Sequence, residues 1–104
     1  MIIQFNTDNN VSGNDKHSAP LVALINDELN RFSDQITRVE VHLSDVNGDK
    51  VGQDDKQCML EARLGGLKPI AVTHNANSHE EAVGGALEKM KTSLDRVLGK
   101  LRKH

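Results

Sequence analysis

The chain has 104 residues, a mass of 11.4 kDa, 37% hydrophobic residues and a net charge of −2. That length predicts one domain, residues 1–104, and excludes two independent cores. The longest apolar run is the five residues from Leu21 to Ile25, too short for a membrane-spanning helix.

The N-terminal run Met1-Ile-Ile-Gln-Phe-Asn has no basic n-region and no long apolar stretch, which predicts a cytoplasmic protein without a secretory signal. A single cysteine, Cys58, excludes an intrachain disulfide and a cysteine-based zinc knuckle. The only aromatics are Phe5 and Phe32, so the core must come from Ile, Leu, Val, Met and Ala. The charge is uneven. Residues 1–55 carry four Lys and Arg against ten Asp and Glu, a balance of −6; residues 56–104 carry nine against five, a balance of +4.

In chain order, residues 2–6 predict a short first strand. Residues 9–16 are rich in turn formers and predict a loop. A helix follows, with Ser18 as N-cap and Pro20 in its first turn. Leu21, Ile25, Leu29 and Phe32 fall on one stripe, with Val22 and Leu24 at its edges. Asp27, Glu28, Asn30 and Arg31 face away, which gives this helix a mainly acidic outer surface.

Residues 36–44 alternate: Val39, Val41 and Leu43 point one way, Arg38, Glu40, His42 and Ser44 the other. That pattern predicts a strand with one covered face. Residues 45–55 form a polar loop. Residues 57–64 alternate again, with Cys58, Leu60, Ala62 and Leu64 on the covered side. Gly65-Gly66 makes a tight connection. Pro69 opens a fourth strand over 69–74 with Val72 inward.

The last helix has the clearest pattern. Ser78 and Glu81 form a capping box. Val83, Leu87, Met90, Leu94, Val97 and Leu101 recur at spacings of four and three, one apolar stripe. Lys89, Arg96, Lys100 and Lys103 line one flank, and Lys91 and Arg102 the other. From Lys89 to His104 six basic residues face one acid, Asp95. A block of one sign is where a polyanion would touch the protein. It equally suits a solvated helix end whose cations complement the dipole. The pI of 6.2 weighs against a dedicated nucleic-acid binder.

The predicted fold is therefore α+β, in the order β-α-β-β-β-α. It is a four-stranded mixed sheet with two helices packed on one face. The first crossover makes strands one and two parallel; the short later connections make the rest antiparallel.

Chemistry-bearing clusters are few. Asp45-Val-Asn47-Gly-Asp49 begins like a calcium loop, but Lys50 stands at the sixth position and Lys56 at the twelfth, where Gly and Glu are needed. His17, His42, His74 and His79 fall on different elements. His42 and His74 could meet across the sheet, yet a metal site needs three or four ligands. Cys58 alternates with the covered residues and reads as a small hydrophobe. Glu40 and Glu61 with Arg38 and Arg63 read as cross-strand ion pairs rather than an acid/base dyad. The residues argue for no enzyme, no metal and no cofactor.

Three stretches carry a family resemblance. They are Arg38-Val-Glu-Val-His-Leu-Ser-Asp45-Val-Asn-Gly-Asp-Lys50, then Asp54-Asp-Lys-Gln-Cys58-Met-Leu-Glu-Ala-Arg63-Leu with Pro69-Ile-Ala-Val-Thr-His74, and the helix Glu80-Glu-Ala-Val to Ala86-Leu-Glu-Lys89-Met and Leu94-Asp-Arg96. With the element order, they resemble the ribosome hibernation promoting factors, also called ribosome-associated inhibitor A or sigma-54 modulation proteins. The resemblance is to the short, single-domain form, which implies a protein without the C-terminal domain by which long members pair ribosomes.

The resemblance implies a stress or stationary-phase factor that binds the small ribosomal subunit and its ribosomal RNA. It would occupy the messenger and transfer RNA channel and inhibit translation. It implies no membrane, no DNA and no small-molecule substrate. Carried over by position, Lys89, Arg96 and Lys100 match the basic helix, with Lys91, Arg102 and Lys103 beside them. Asp27, Glu28 and Asp34 stand where members carry more positive charge. The alternative is a protein–protein interaction or regulatory module of the same fold that does not bind the ribosome. A third class is a small-ligand or metal-binding regulator built on His42, His74 and the 45–55 loop.

Overall fold

In the computed structural model, residues 1–7, 15–45 and 55–102 are described, with side chains over 1–6, 19–45 and 55–99. The elements are β1 (Ile2–Thr7), α1 (Asp15–Leu29), a 3₁₀ turn (Asn30–Phe32), β2 (Ile36–Asp45), β3 (Lys56–Leu64), β4 (Ile70–Ala76) and α2 (His79–Arg102). The strands form one sheet in the order β1-β2-β3-β4. β1 runs parallel to β2, and the β2–β3 and β3–β4 pairs are antiparallel. The architecture is the one the sequence predicts.

The alternation in β2 and β3 decides which face is covered. Val39, Val41, Leu43, Cys58, Leu60 and Ala62 lie within 2% of full burial. On α1, Leu21, Ile25 and Leu29 are buried, and Phe32 of the 3₁₀ turn continues their stripe. From α2, Val83, Leu87, Met90 and Leu94 join the same cluster. Both helices therefore cover one sheet face and share one core.

Four details differ from the pattern-based expectation. α1 starts at Asp15 rather than after Ser18; an acid at a helix N-terminus suits the dipole, and Pro20 lies inside the helix. β4 begins after Pro69, which has no N–H for the ladder. It runs on to Ala76 because β3 begins early enough to pair Lys56 with Ala76. On α2, Leu98 is buried and Val97 only partly so. A 4-3 repeat averages 3.5 residues per turn while a straight helix has 3.6, so the stripe drifts about 20° per heptad and reaches position 98.

The α2 start is the predicted capping box. Glu81 N–H donates to Ser78 Oγ at 3.1 Å, and that hydroxyl donates to Glu81 Oε1 at 3.3 Å. Gly66 adopts φ 77° in the β3–β4 connection, a conformation that strains any residue with a side chain. At Gly85 a Cβ would collide with the His74 imidazole. The missing side chain is what lets β4 and α2 close over that ring.

Candidate nucleic-acid interface

Helix periodicity sends the α2 cations to opposite sides of its buried stripe. Lys89 and Arg96 lie on the flank facing β4, and both are exposed. They rim an open groove of about 440 Å³ with Val72, Glu88, Thr92 and Ser93. Lys89 Nζ donates to the Thr73 carbonyl oxygen at 2.7 Å. Neither Lys89 nor Arg96 forms an ion pair among the described residues. These two positive charges are available to an outside anion.

Lys91, on the other flank, faces α1. Its ammonium lies 2.7 Å from Glu28 and 3.0 Å from Glu88. Glu28, then Glu88, holds the Lys91 pKa above its ordinary value, because each carboxylate favours the charged form. Asp95, the acid in the basic block, pairs with Arg31 at 3.0 Å, and the Arg31 guanidinium sits 4.2 Å from the Phe32 ring centre. Lys100 and Arg102 belong to α2, but their side chains, and all of Lys103, lie outside the described residues, as does the side chain of His17.

The two ion pairs that tie α1 and the 3₁₀ turn to α2 escaped the sequence reading. Their signal was there: Glu28 and Arg31 are spaced for one helical turn, as are Lys91 and Asp95, with complementary signs. Which faces meet is a tertiary fact that spacing alone does not give.

The outer sheet face contains the expected cross-strand network, centred on Arg63. Glu40 and Glu61 stand directly opposite each other, and Arg63 reaches them at 3.1 and 3.5 Å. Arg38 lies opposite Arg63 and makes no ion pair among the described residues. His42 shares this face, 3.9 Å from Glu40. His74 points to the opposite face, towards Gly85, so the two histidines do not meet. The sheet separates the groups on which a His42–His74 site would depend.

The calcium-like loop has residues 46–54 outside the described range. At its base Lys56 Nζ contacts Asp45 at 2.8 Å and Asp55 at 3.3 Å. Asp45 is the main cause that raises the Lys56 pKa; desolvation opposes it, and Asp55 adds to the rise. An ammonium thus stands where a twelfth-position ligand would have to be. Cys58 is fully buried, and desolvation pushes its thiol up to about 12, well away from a nucleophile's range.

Comparison with known proteins shows the family and the fold. The sequence profile of the family described as "Sigma 54 modulation protein / S30EA ribosomal protein" matches residues 10–102. The chain belongs to this family. Membership places it among ribosome-associated proteins, a family that is not one of enzymes. No curated protein sequence matches it.

Among solved structures, a ribosomal subunit interface protein from Coxiella burnetii is similar, with a TM-score of 0.71 and 18% identity over 95% of this chain and 99% of that one. The N-terminal domain of Protein Y from Thermus thermophilus is similar too, with a TM-score of 0.71 and 20% identity over 93% of this chain and 99% of that one. At such identities the likeness is one of fold. Among the described residues no helix is long and apolar enough to cross a membrane.

Proposed function

We propose that this protein binds the small ribosomal subunit, occupies its messenger and transfer RNA channel, and inhibits translation under stress or in stationary phase. The reading places it in the cytoplasm, as one domain without enzymatic activity. The observation that supports it best is the flank of Lys89 and Arg96, two exposed cations with no ion-pair partner among the described residues, on the last helix of a chain from a ribosome-associated family. The two structural neighbours, a ribosomal subunit interface protein and the N-terminal domain of Protein Y, share its fold, and the name of the first agrees with this reading.

The mechanism is occlusion. One covered core makes the sheet and helices a stiff wedge, and phosphate contacts hold it in place. Lys89 and Arg96 begin the contact row, with Lys100 next on the same flank. Lys103, Lys91 and Arg102 are the further members proposed. Such contacts position the protein without reading sequence. Each one releases condensed counterions, so affinity must fall as salt rises.

The test is cosedimentation with purified small subunits across a salt series, alongside translation in a reconstituted system. The expected result is salt-sensitive binding that competes with transfer RNA and lowers protein synthesis. Binding absent at low salt would leave the rival, a protein–protein interaction module of the same fold. Exposed Asp27 and Asp34 beside α1 are what favour that rival.

A further inference from the structure

The sheet ends at β4, whose outer edge pairs with no other strand among the described residues. In an antiparallel ladder the N–H and C=O of one residue point to the same side, and the sides alternate along the strand. The Thr73 carbonyl reaches Lys89 rather than β3, so the Thr73 N–H faces outward with it. By alternation Ala71 and Asn75 also offer their N–H and C=O to the free edge. Long exposed edges are commonly guarded by lysine, and Lys89 guards one carbonyl here.

The side-chain layer beside this edge is open as well. Ile70 and Val72 point inward yet remain partly exposed, whereas their β3 partners Ala62 and Leu60 are fully buried. The groove of about 440 Å³ runs along the rim, floored by Val72 and walled by α2. Its exposed cations are Lys89 and Arg96, and Lys68 is exposed just before the strand. Glu88, the acid on the rim, is engaged with Lys91.

We propose that the β4 edge and this groove form a docking site for an extended acidic segment of a partner protein, added as a fifth strand. The incoming strand's N–H takes the Thr73 carbonyl from Lys89. The freed ammonium and the Arg96 guanidinium then meet carboxylates on the strand's inward positions. An apolar side chain between those carboxylates covers Val72 and closes the rim. Charge selects this occupant. Two-fold pairing of β4 with β4 of a second copy would set Lys89 and Arg96 against their own counterparts. A nucleic-acid strand could meet the cations but has no alternating N–H and C=O to give the edge. The inference does not rest on the ribosome reading, although both ligands would compete for Lys89 and Arg96.

The test uses the full chain and two capped peptides of alternating Thr with Glu-Val-Glu or Lys-Val-Lys at the inward positions. Amide chemical shifts and titrated affinities are the readouts. The expected result is shifts confined to 70–76 and 88–96, and an affinity about tenfold higher for the acidic peptide. Ala71→Pro removes an outward N–H that β3 does not use. It should abolish peptide binding while small-subunit binding stays as in the parent. Equal affinity for both peptides, shifts elsewhere, or undiminished binding by a folded Ala71→Pro variant would overturn the proposal. Should Ala71→Pro not fold, Lys89→Glu carries the test: the preference must turn towards the basic peptide, and an unchanged preference overturns the site. A failure of the ribosome reading shows separately, as absent subunit binding by the parent chain with peptide binding intact.

Discussion

The two flanks of α2 carry the same kind of charge and offer very different surfaces. Lys89 and Arg96 face the open rim of β4 with no carboxylate partner among the described residues. Lys91 lies between them in sequence, yet Glu28 and Glu88 enclose its ammonium. A count of basic residues scores the three alike. The helix angle sorts them: two are free for an external anion, and the third ties α1 to α2. Charge becomes a binding site only where the fold leaves it uncompensated.

Both flanks rest on one core, so the comparison breaks most completely if that core gives way. Leu94 is fully buried between them. Leu94→Ala should cost about 2–5 kcal/mol from lost burial and the cavity left behind, read in urea or guanidinium melts. A loss below about 1 kcal/mol would mean that α2 is not anchored by this stripe. Gly85→Ala attacks the same helix from the His74 side, since its new methyl meets the imidazole. The expected cost is about 1–3 kcal/mol, as for overpacking generally, with α2 shifted outward in amide-exchange profiles.

The next largest effect separates the flanks directly. Lys89→Glu with Arg96→Glu removes two free cations and adds repulsion towards phosphate. Small-subunit affinity should fall steeply, and the slope of log affinity against log salt should shrink by about 2, one for each contact. Melting behaviour should hold, because both side chains are exposed. Lys91→Gln should change affinity and slope far less. If the single change matches the double one, the sorting of the two flanks is wrong. If neither variant changes the affinity or the slope, α2 is not the RNA contact.

Much of this arrangement could be read before the fold was known. The alternation Val39-Val41-Leu43 and Cys58-Leu60-Ala62 fixes which faces of β2 and β3 are covered, because side-chain direction in a strand has period two. Ser78 and Glu81 mark the start of α2 through a local hydrogen-bonding rule. Position-level features that depend on accumulated geometry were less legible. The burial of Leu98 in place of Val97 arises from drift over several turns. The periodicity put Lys89 and Lys91 on opposite flanks, but not which flank is compensated, since only the packing of α1 brings Glu28 to Lys91. The need for Gly85 was not legible either, because the neighbour that requires it, His74, comes from β4.

The smallest expected effect sharpens the comparison from the masked side. Glu28 is an internal carboxylate doing to Lys91 what an external phosphate would do. Glu28→Gln leaves the shape of the α1–α2 contact and removes one of the two charges on Lys91. Small-subunit affinity should then rise severalfold, and the salt slope should steepen slightly as Lys91 joins the contacts. The same pair has a signature in stability. Its carboxylates raise the Lys91 pKa above 10.5 in the folded chain, so the folded state holds this proton more tightly than the unfolded one. The stabilisation is therefore fully present below about pH 10.5 and is lost as pH rises through the raised folded value. The difference in melting temperature between the parent and Lys91→Gln should stay constant from pH 8 to about 10 and shrink beyond it. A difference that persists unchanged into strong alkali would assign Lys91 a packing role through its aliphatic stem. In that event Glu28→Gln should leave ribosome affinity where it was.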